Sequence, residues 1–235
     1  MPELHKNTTY DDIRQLRLGG SLLLLTLTCV GLYAGEVVRN GTWGYWFMVW
    51  NLFLAWLPLL LVVWLVRILR HTRWSSWQGI ALSVLWLGFL PNSFYIVTDY
   101  IHLQDVPTVD ILYDAVMLTS FVVAGLVLGY LSLYLFHQEL RRRMPSATAG
   151  RFVGVIIFLC SVAIYLGRDL RWNTWDLFIN PAGILFDVSD RLINPRAHPQ
   201  MFVTIISFFV LLSMLYCVVW KFAQALGIAR SARQR

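Results

Sequence analysis

Six apolar runs, separated by short polar stretches, divide this chain of 235 residues. They cover about residues 19–35, 46–66, 77–97, 111–136, 152–167 and 201–222. Each approaches the ~20 residues that an α-helix needs to cross ~30 Å of hydrocarbon. The pattern predicts an all-α polytopic membrane protein, a single integral-membrane domain over residues 1–235 with about six transmembrane helices. Pro58 lies near the middle of the second run and Pro91 inside the third, so both helices are expected to bend. The fifth run is short, and its helix is expected to continue past the bilayer edge. The first run has the length of a signal peptide, but no small-residue cleavage site follows it, which favours a retained helix.

The third run ends in a polar stripe. Asn92, Tyr95, Asp99 and His102 follow at intervals of 3, 4 and 3, which on a continuous helix puts all four on one face. Asn92 then lies roughly 10 Å deeper than Asp99 at the helical rise. Polar groups at that depth must face protein, water or a ligand. Asp105 and Asp110 follow in the next loop, and Asp114 enters the fourth run. At the end of the fifth run stand Arg168, Asp169, Arg171, Asn173, Trp175 and Asp176. If that helix continues, Arg168, Arg171 and Trp175 share one face, and Asp169, Asn173 and Asp176 the next.

Two further patterns bear on architecture. Between runs five and six, Asn180 can cap a helix and Pro181 suits its first position, with Ile184, Val188 and Leu192 along one side. This predicts a short interfacial helix between helices 5 and 6. In run four, Gly125 and Gly129, continued by Ser132, form a small-residue seam against which a neighbouring helix can pack closely.

Composition agrees with the membrane reading. The chain is 58% hydrophobic and 14% charged, against about 45–50% and about 25% in soluble domains. A net charge of +6 would suit nucleic acid, but the basic residues flank the apolar runs instead. Fourteen of the nineteen Lys and Arg fall on the side that holds the chain termini and the loops after runs two and four. The positive-inside rule then places both termini in the cytoplasm, and nucleic acid is excluded as a partner. Cys29, Cys160 and Cys217 sit far apart inside apolar runs, which is neither a disulfide framework nor a metal knuckle. The cytoplasmic loops are too short to fold into a catalytic unit. Any chemistry belongs to the helices and the outer loops.

Three uses of the polar cluster compete. As a binding site for an anionic or lipid-like ligand, Arg168 and Arg171 would grip the anion through their guanidinium forks. Asn92, Tyr95, Asn173, Trp175 and Asp176, with Asp99 and Asp114, would surround the rest. As an enzyme, Asp99 or Asp114 would be the general base and His102 an assisting acid or metal ligand. As structure alone, Asp99 and Asp114 would pair with Arg168 and Arg171 to fasten helices. Asp99 and His102 could share a metal with Asp114, but His5, His71 and His137 lie on the opposite side, so the ligand set is incomplete. The scattered histidines also lack the facing pairs of a membrane haem site, and the cofactor stays open. Membrane lipid is the expected partner.

Three segments together carry a resemblance. They are Leu90-Pro91-Asn92 through Asp99-Tyr100-Ile101-His102-Leu103, Tyr113-Asp114 through Gly129-Tyr130-Leu131-Ser132-Leu133-Tyr134, and Tyr165-Leu166-Gly167-Arg168 through Arg171-Trp172-Asn173-Thr174-Trp175-Asp176. Over roughly residues 80 to 200 the chain resembles the bacterial integral-membrane family catalogued as domain of unknown function 1361. The resemblance implies an integral-membrane protein and a family pattern that includes these polar residues. It implies no particular activity.

Overall fold

In the computed structural model, which describes residues 2–105, 111–172, 176–194 and 196–233, the apolar runs are α-helices. Backbone amides cannot hydrogen-bond to lipid, so a spanning segment must satisfy them internally, and a helix does so. Helix α1 is Pro2–Asn40, α2 Trp46–Ile68 and α3 Trp77–Tyr95. A 3-10 segment, Ile96–Asp105, continues α3, and α4 follows at Ile111–Arg141. Then come α5 Ser146–Asp169, the single turn α6 Asp176–Ile179, α7 Pro181–Ile193 and α8 Pro199–Arg233. Six helical segments are long and apolar enough to cross a membrane: Arg17–Asn40, Trp46–Ile68, Trp77–Leu103, Ile111–Arg141, Ser146–Asp169 and Pro199–Leu226. The protein is a multi-pass membrane protein.

Helix ends differ from the apolar runs in an instructive way. The fifth helix is not short: it starts at Ser146, just after Pro145, and runs for 24 residues. Its first turn is polar, so hydropathy alone places the start too late. A larger correction concerns the polar stripe. The α-helix stops at Tyr95 and the chain tightens into a 3-10 segment from Ile96. That geometry turns three residues per revolution rather than 3.6, so the four stripe residues do not share one α-helical face.

Helices α2, α3 and α4 form the centre of the bundle. α1 leans on α4, α5 packs against α3 and α8, and α8 closes the side through α5. The α3–α4 contact runs along the small-residue seam. A Cβ on Gly125 would lie 2.7 Å from the Ser93 carbonyl oxygen, and one on Gly129 would lie 2.8 Å from Phe94 and Ser93 side-chain atoms. Both positions are therefore filled to contact by the neighbouring helix. Ser93 in turn donates to the Ala55 carbonyl at 3.1 Å, tying α3 to α2. The fully buried Trp86 donates its indole N–H to Ser132 at 2.8 Å and stacks on Phe136 at 3.9 Å between centroids.

The two ends of the bundle differ in character. At the basic end, Arg143 donates to the Leu69 carbonyl at 3.0 Å and pairs with Glu139 at 3.0 Å. It ties the last turn of α4 to the end of α2, a structural role beyond the topology signal that an arginine run suggests. His137 meets the Tyr216 hydroxyl at 2.8 Å and stacks on Trp220, fixing α8 to α4. At the other end, α7 forms as expected. Asn180 accepts from the Gly183 N–H at 3.0 Å and Pro181 opens the helix. Leu185 and Phe186 stand exposed on it, while Asp187 and Arg191 face α5. An apolar outer side with a polar inner side suits a helix lying along the membrane surface.

Replacing Gly125 by Ala forces a Cβ against the Ser93 backbone carbonyl as well as the Ile96 side chain. The expected loss is about 1–3 kcal/mol, read as a lower thermal midpoint in detergent. Gly150→Ala is the control, because nothing lies within 4 Å of its Cβ position. That variant should hold or slightly raise the midpoint, since Ala favours helix over Gly by about 1 kcal/mol. Equal losses in both would remove the seam as the cause.

Candidate functional site

The site lies at the end of the bundle away from the arginine run, and the first turns of α2 organise it. Asn51 donates to Asp99 at 3.1 Å. Tyr45, one residue before α2, donates to Asp114 at 3.1 Å. The Phe47 ring packs on His102 with centroids 4.7 Å apart. Phe47 and Asn51 are one helical turn apart and so share a face of α2. That face receives the 3-10 segment, while Tyr45 reaches α4.

Burial explains why such partners are required. Asp99 is 2% exposed and Asp114 1%. A carboxylate withdrawn from water is strongly destabilising unless hydrogen bonds replace its hydration. In this bundle the replacing donors are neutral. Neither aspartate pairs with Arg168 or Arg171 within ion-pair distance, so the expected fastening of Asp99 and Asp114 by those arginines is corrected. Asn51 and Tyr45 take their place, polar residues at the head of an apolar run whose only sequence signal was their position there.

The remaining residues of the stripe separate. Asn92 donates to the Phe89 carbonyl at 3.1 Å, one turn down its own helix, which continues through Pro91 to Tyr95. Tyr95 packs against Gly167, whose Cβ position lies 3.1 Å from the ring. Tyr95 thus marks where α3 meets the last turn of α5.

The arginine face also needs correcting. α5 ends at Asp169, and Arg171 takes a left-handed backbone conformation with φ of 59°. The Trp172 N–H then closes on the Leu166 carbonyl at 3.1 Å. The chain turns away, so Arg168 and Arg171 do not lie on one continuous helical face. Left-handed backbone is normally left to Gly or Asn because a Cβ crowds the carbonyl there. Asn173 and Trp175 lie outside the described residues; Asp176 opens α6.

Arg168 is half-buried beside this turn, and its charge acts through space on Asp99 and Asp169. Among the described residues it has neither a hydrogen bond nor an ion pair. Above it, Trp172 donates to Asp187 at 2.8 Å and Arg191 donates to the Tyr165 hydroxyl at 3.0 Å, which hold α7 over the end of α5.

A third buried carboxylate completes this end. Glu36, near the end of α1 and 3% exposed, accepts from Asn40 and lies 3.8 Å from Arg39. It also interacts with the neighbouring Asp114 carboxyl where α1 packs on α4. Glu36 reads in the sequence as a simple flank of the first run, and only the approach of α1 to α4 brings it here. Among the described residues, no three His, Cys, Asp or Glu come together as a metal site.

A family model described as Protein of unknown function (DUF1361) matches residues 50–215. That covers most of the chain, and the chain belongs to this family. No curated protein and no solved structure matches it.

Asn51→Leu removes the one donor seen on Asp99 and leaves a buried acceptor unmet. The expected cost is about 1–3 kcal/mol of stability, measured by thermal or denaturant unfolding in micelles. Adding Asp99→Leu removes the stranded acceptor as well and should recover part of that loss. A double variant no more stable than Asn51→Leu alone would sink the assignment of this bond as a fastener.

Proposed function

We propose that this family member is a multi-pass protein of the bacterial cytoplasmic membrane, with both termini cytoplasmic, that binds or moves an anionic, lipid-like envelope molecule at its outer end. The distribution of Lys and Arg supports the orientation, since fourteen of nineteen sit on the side of the termini. The observation that carries the ligand reading is Arg168. A half-buried guanidinium with no hydrogen bond or ion pair to a described residue is poorly solvated, and a bound phosphate or carboxylate supplies what it lacks.

The surroundings suit that ligand. α7 lies over the site with Leu185 and Phe186 exposed at 66% and 74%, where acyl chains would meet them. Arg171 stands at the strained turn beside it, and strain kept at a cationic residue is a feature of binding sites. Asn92, Tyr95, Asn173, Trp175 and Asp176 are proposed as further ligand contacts, with Asp99 and Asp114 setting the field beneath.

A second reading is favoured by the hydrogen bonds of Asn51 to Asp99 and Tyr45 to Asp114. Those bonds make the two aspartates helix fasteners, whatever Arg168 does. In that case Asp99→Asn and Arg168→Gln keep full function in a complemented strain while lowering thermal stability. A catalytic use of Asp99 or Asp114 with His102 predicts instead that Asp99→Asn abolishes turnover of a labelled envelope lipid.

Native mass spectrometry of protein released gently from its own membranes tests the ligand reading. A discrete anionic adduct is expected on the wild type and should be lost from Arg168→Gln. Bare protein in both cases overturns the proposal. Arg171→Gly should relieve about 1–2 kcal/mol of backbone strain and so raise the thermal midpoint, yet weaken the adduct. Arg171→Gly with a raised midpoint and an undiminished adduct would remove Arg171 from the site.

A further inference from the structure

Glu36 and Asp114 bring two buried carboxyl groups together between α1 and α4. Glu36 is 3% exposed and Asp114 1%, and the two carboxyl groups are close enough to act on each other where α1 packs on α4. Their oxygens divide unequally. Glu36 Oε1 accepts from the Asn40 amide, and Asp114 Oδ2 accepts from the Tyr45 hydroxyl at 3.1 Å. The other two, Glu36 Oε2 and Asp114 Oδ1, are fully buried and accept no hydrogen bond among the described residues. The Arg39 guanidinium lies 3.8 Å from Oε2 and over the Tyr113 ring at 4.4 Å. A third buried group, the Tyr33 hydroxyl, has no hydrogen-bond partner among the described residues either. Tyr33 precedes Glu36 by three residues, so both lie on the stripe that α1 buries against the bundle.

Charge and hydrogen bonding fail to close in the same place. Two ionised carboxylates against one arginine leave one negative charge, held where desolvation makes it most costly. Two facing carboxylate oxygens repel each other unless something positive lies between them. One monocation satisfies both deficits at once, because it neutralises the excess charge and serves both unmatched oxygens. We propose that Glu36 and Asp114 form a binding site for a single exchangeable monocation, a proton or a sodium-sized ion. The described titratable and charged groups around it are Tyr33 and Arg39 from α1, Tyr45 before α2, and Tyr113 from α4. None of these except Arg39 supplies positive charge. In a protein that moves an envelope ligand, such an ion would be the natural coupling partner, but the site stands on its own geometry and not on that ligand.

Infrared difference spectroscopy and thermal melts of the purified full-length protein test it. Spectra are taken across a pH titration, and separately on exchange of sodium for choline at constant ionic strength. A proton site gives a protonated-carboxyl band at neutral pH that disappears in both Glu36→Gln and Asp114→Asn and persists in Asp99→Asn. A sodium site gives a carboxylate shift and a higher melting midpoint in sodium, both lost in the same two variants. Wild-type protein that shows neither signal overturns the inference, and this readout does not depend on either variant folding. A signal that survives both substitutions overturns it equally. Neither measurement requires the anionic ligand, so its failure and the failure of the Arg168 reading are separable.

Discussion

Carboxylates buried at one end of an apolar bundle must find donors, and most of the fold at that end follows from this demand. Asp99 takes its donor from Asn51 and Asp114 from Tyr45, so the start of α2 holds both the 3-10 segment and the start of α4. Glu36 adds α1 to the same group. Four separate stretches of chain are thereby held in register by side chains that would be costly to leave unpaired. Lipid offers no hydrophobic drive between helices, so such polar contacts and close packing determine which helices adjoin.

Close packing does the remainder. Gly125 and Gly129 let α3 approach α4 until backbone meets backbone. That approach brings Ser93 and Trp86 within reach of their partners on α2 and α4. The seam joins α3 to α4, and Asp99 follows the end of α3 while Asp114 opens α4. Rigid packing through the middle of α3 thus holds the 3-10 segment where Asn51 can reach it, and an imprecise core would misplace Asp99 as surely as a missing donor.

Beside these paired groups Arg168 is informative. Arg143 and Arg191 both have carboxylate or carbonyl partners. Arg168 has only through-space neighbours among the described residues. It stands where α5 stops, where Arg171 adopts the left-handed turn, and where α7 is fixed by Trp172 and Arg191. Arg168, with no hydrogen bond or ion pair to a described residue, thus stands at a left-handed helix end beneath a helix with an apolar outer side.

The six spans, the helix α7 between the last two of them and the glycine seam were legible in the sequence because each depends on local information. Hydropathy over ~20 residues reports a span, Asn180-Pro181 is its own helix-start signal, and small residues four apart mark a close contact whichever helix supplies it. Family membership was legible for a related reason, since the polar motifs of residues 90 to 176 are linear. The partners of the polar residues were not. Asn51 lies 48 positions from Asp99 and Tyr45 lies 69 from Asp114, so nothing local identifies them. The extension of the stripe and of the arginine face failed for another reason. Both assumed a continuous α-helix, whereas α3 tightens after Tyr95 and α5 ends before a left-handed Arg171. Spacing predicts a shared face only while the helix lasts, and where a helix ends is decided by the tertiary contacts that its last turn can make.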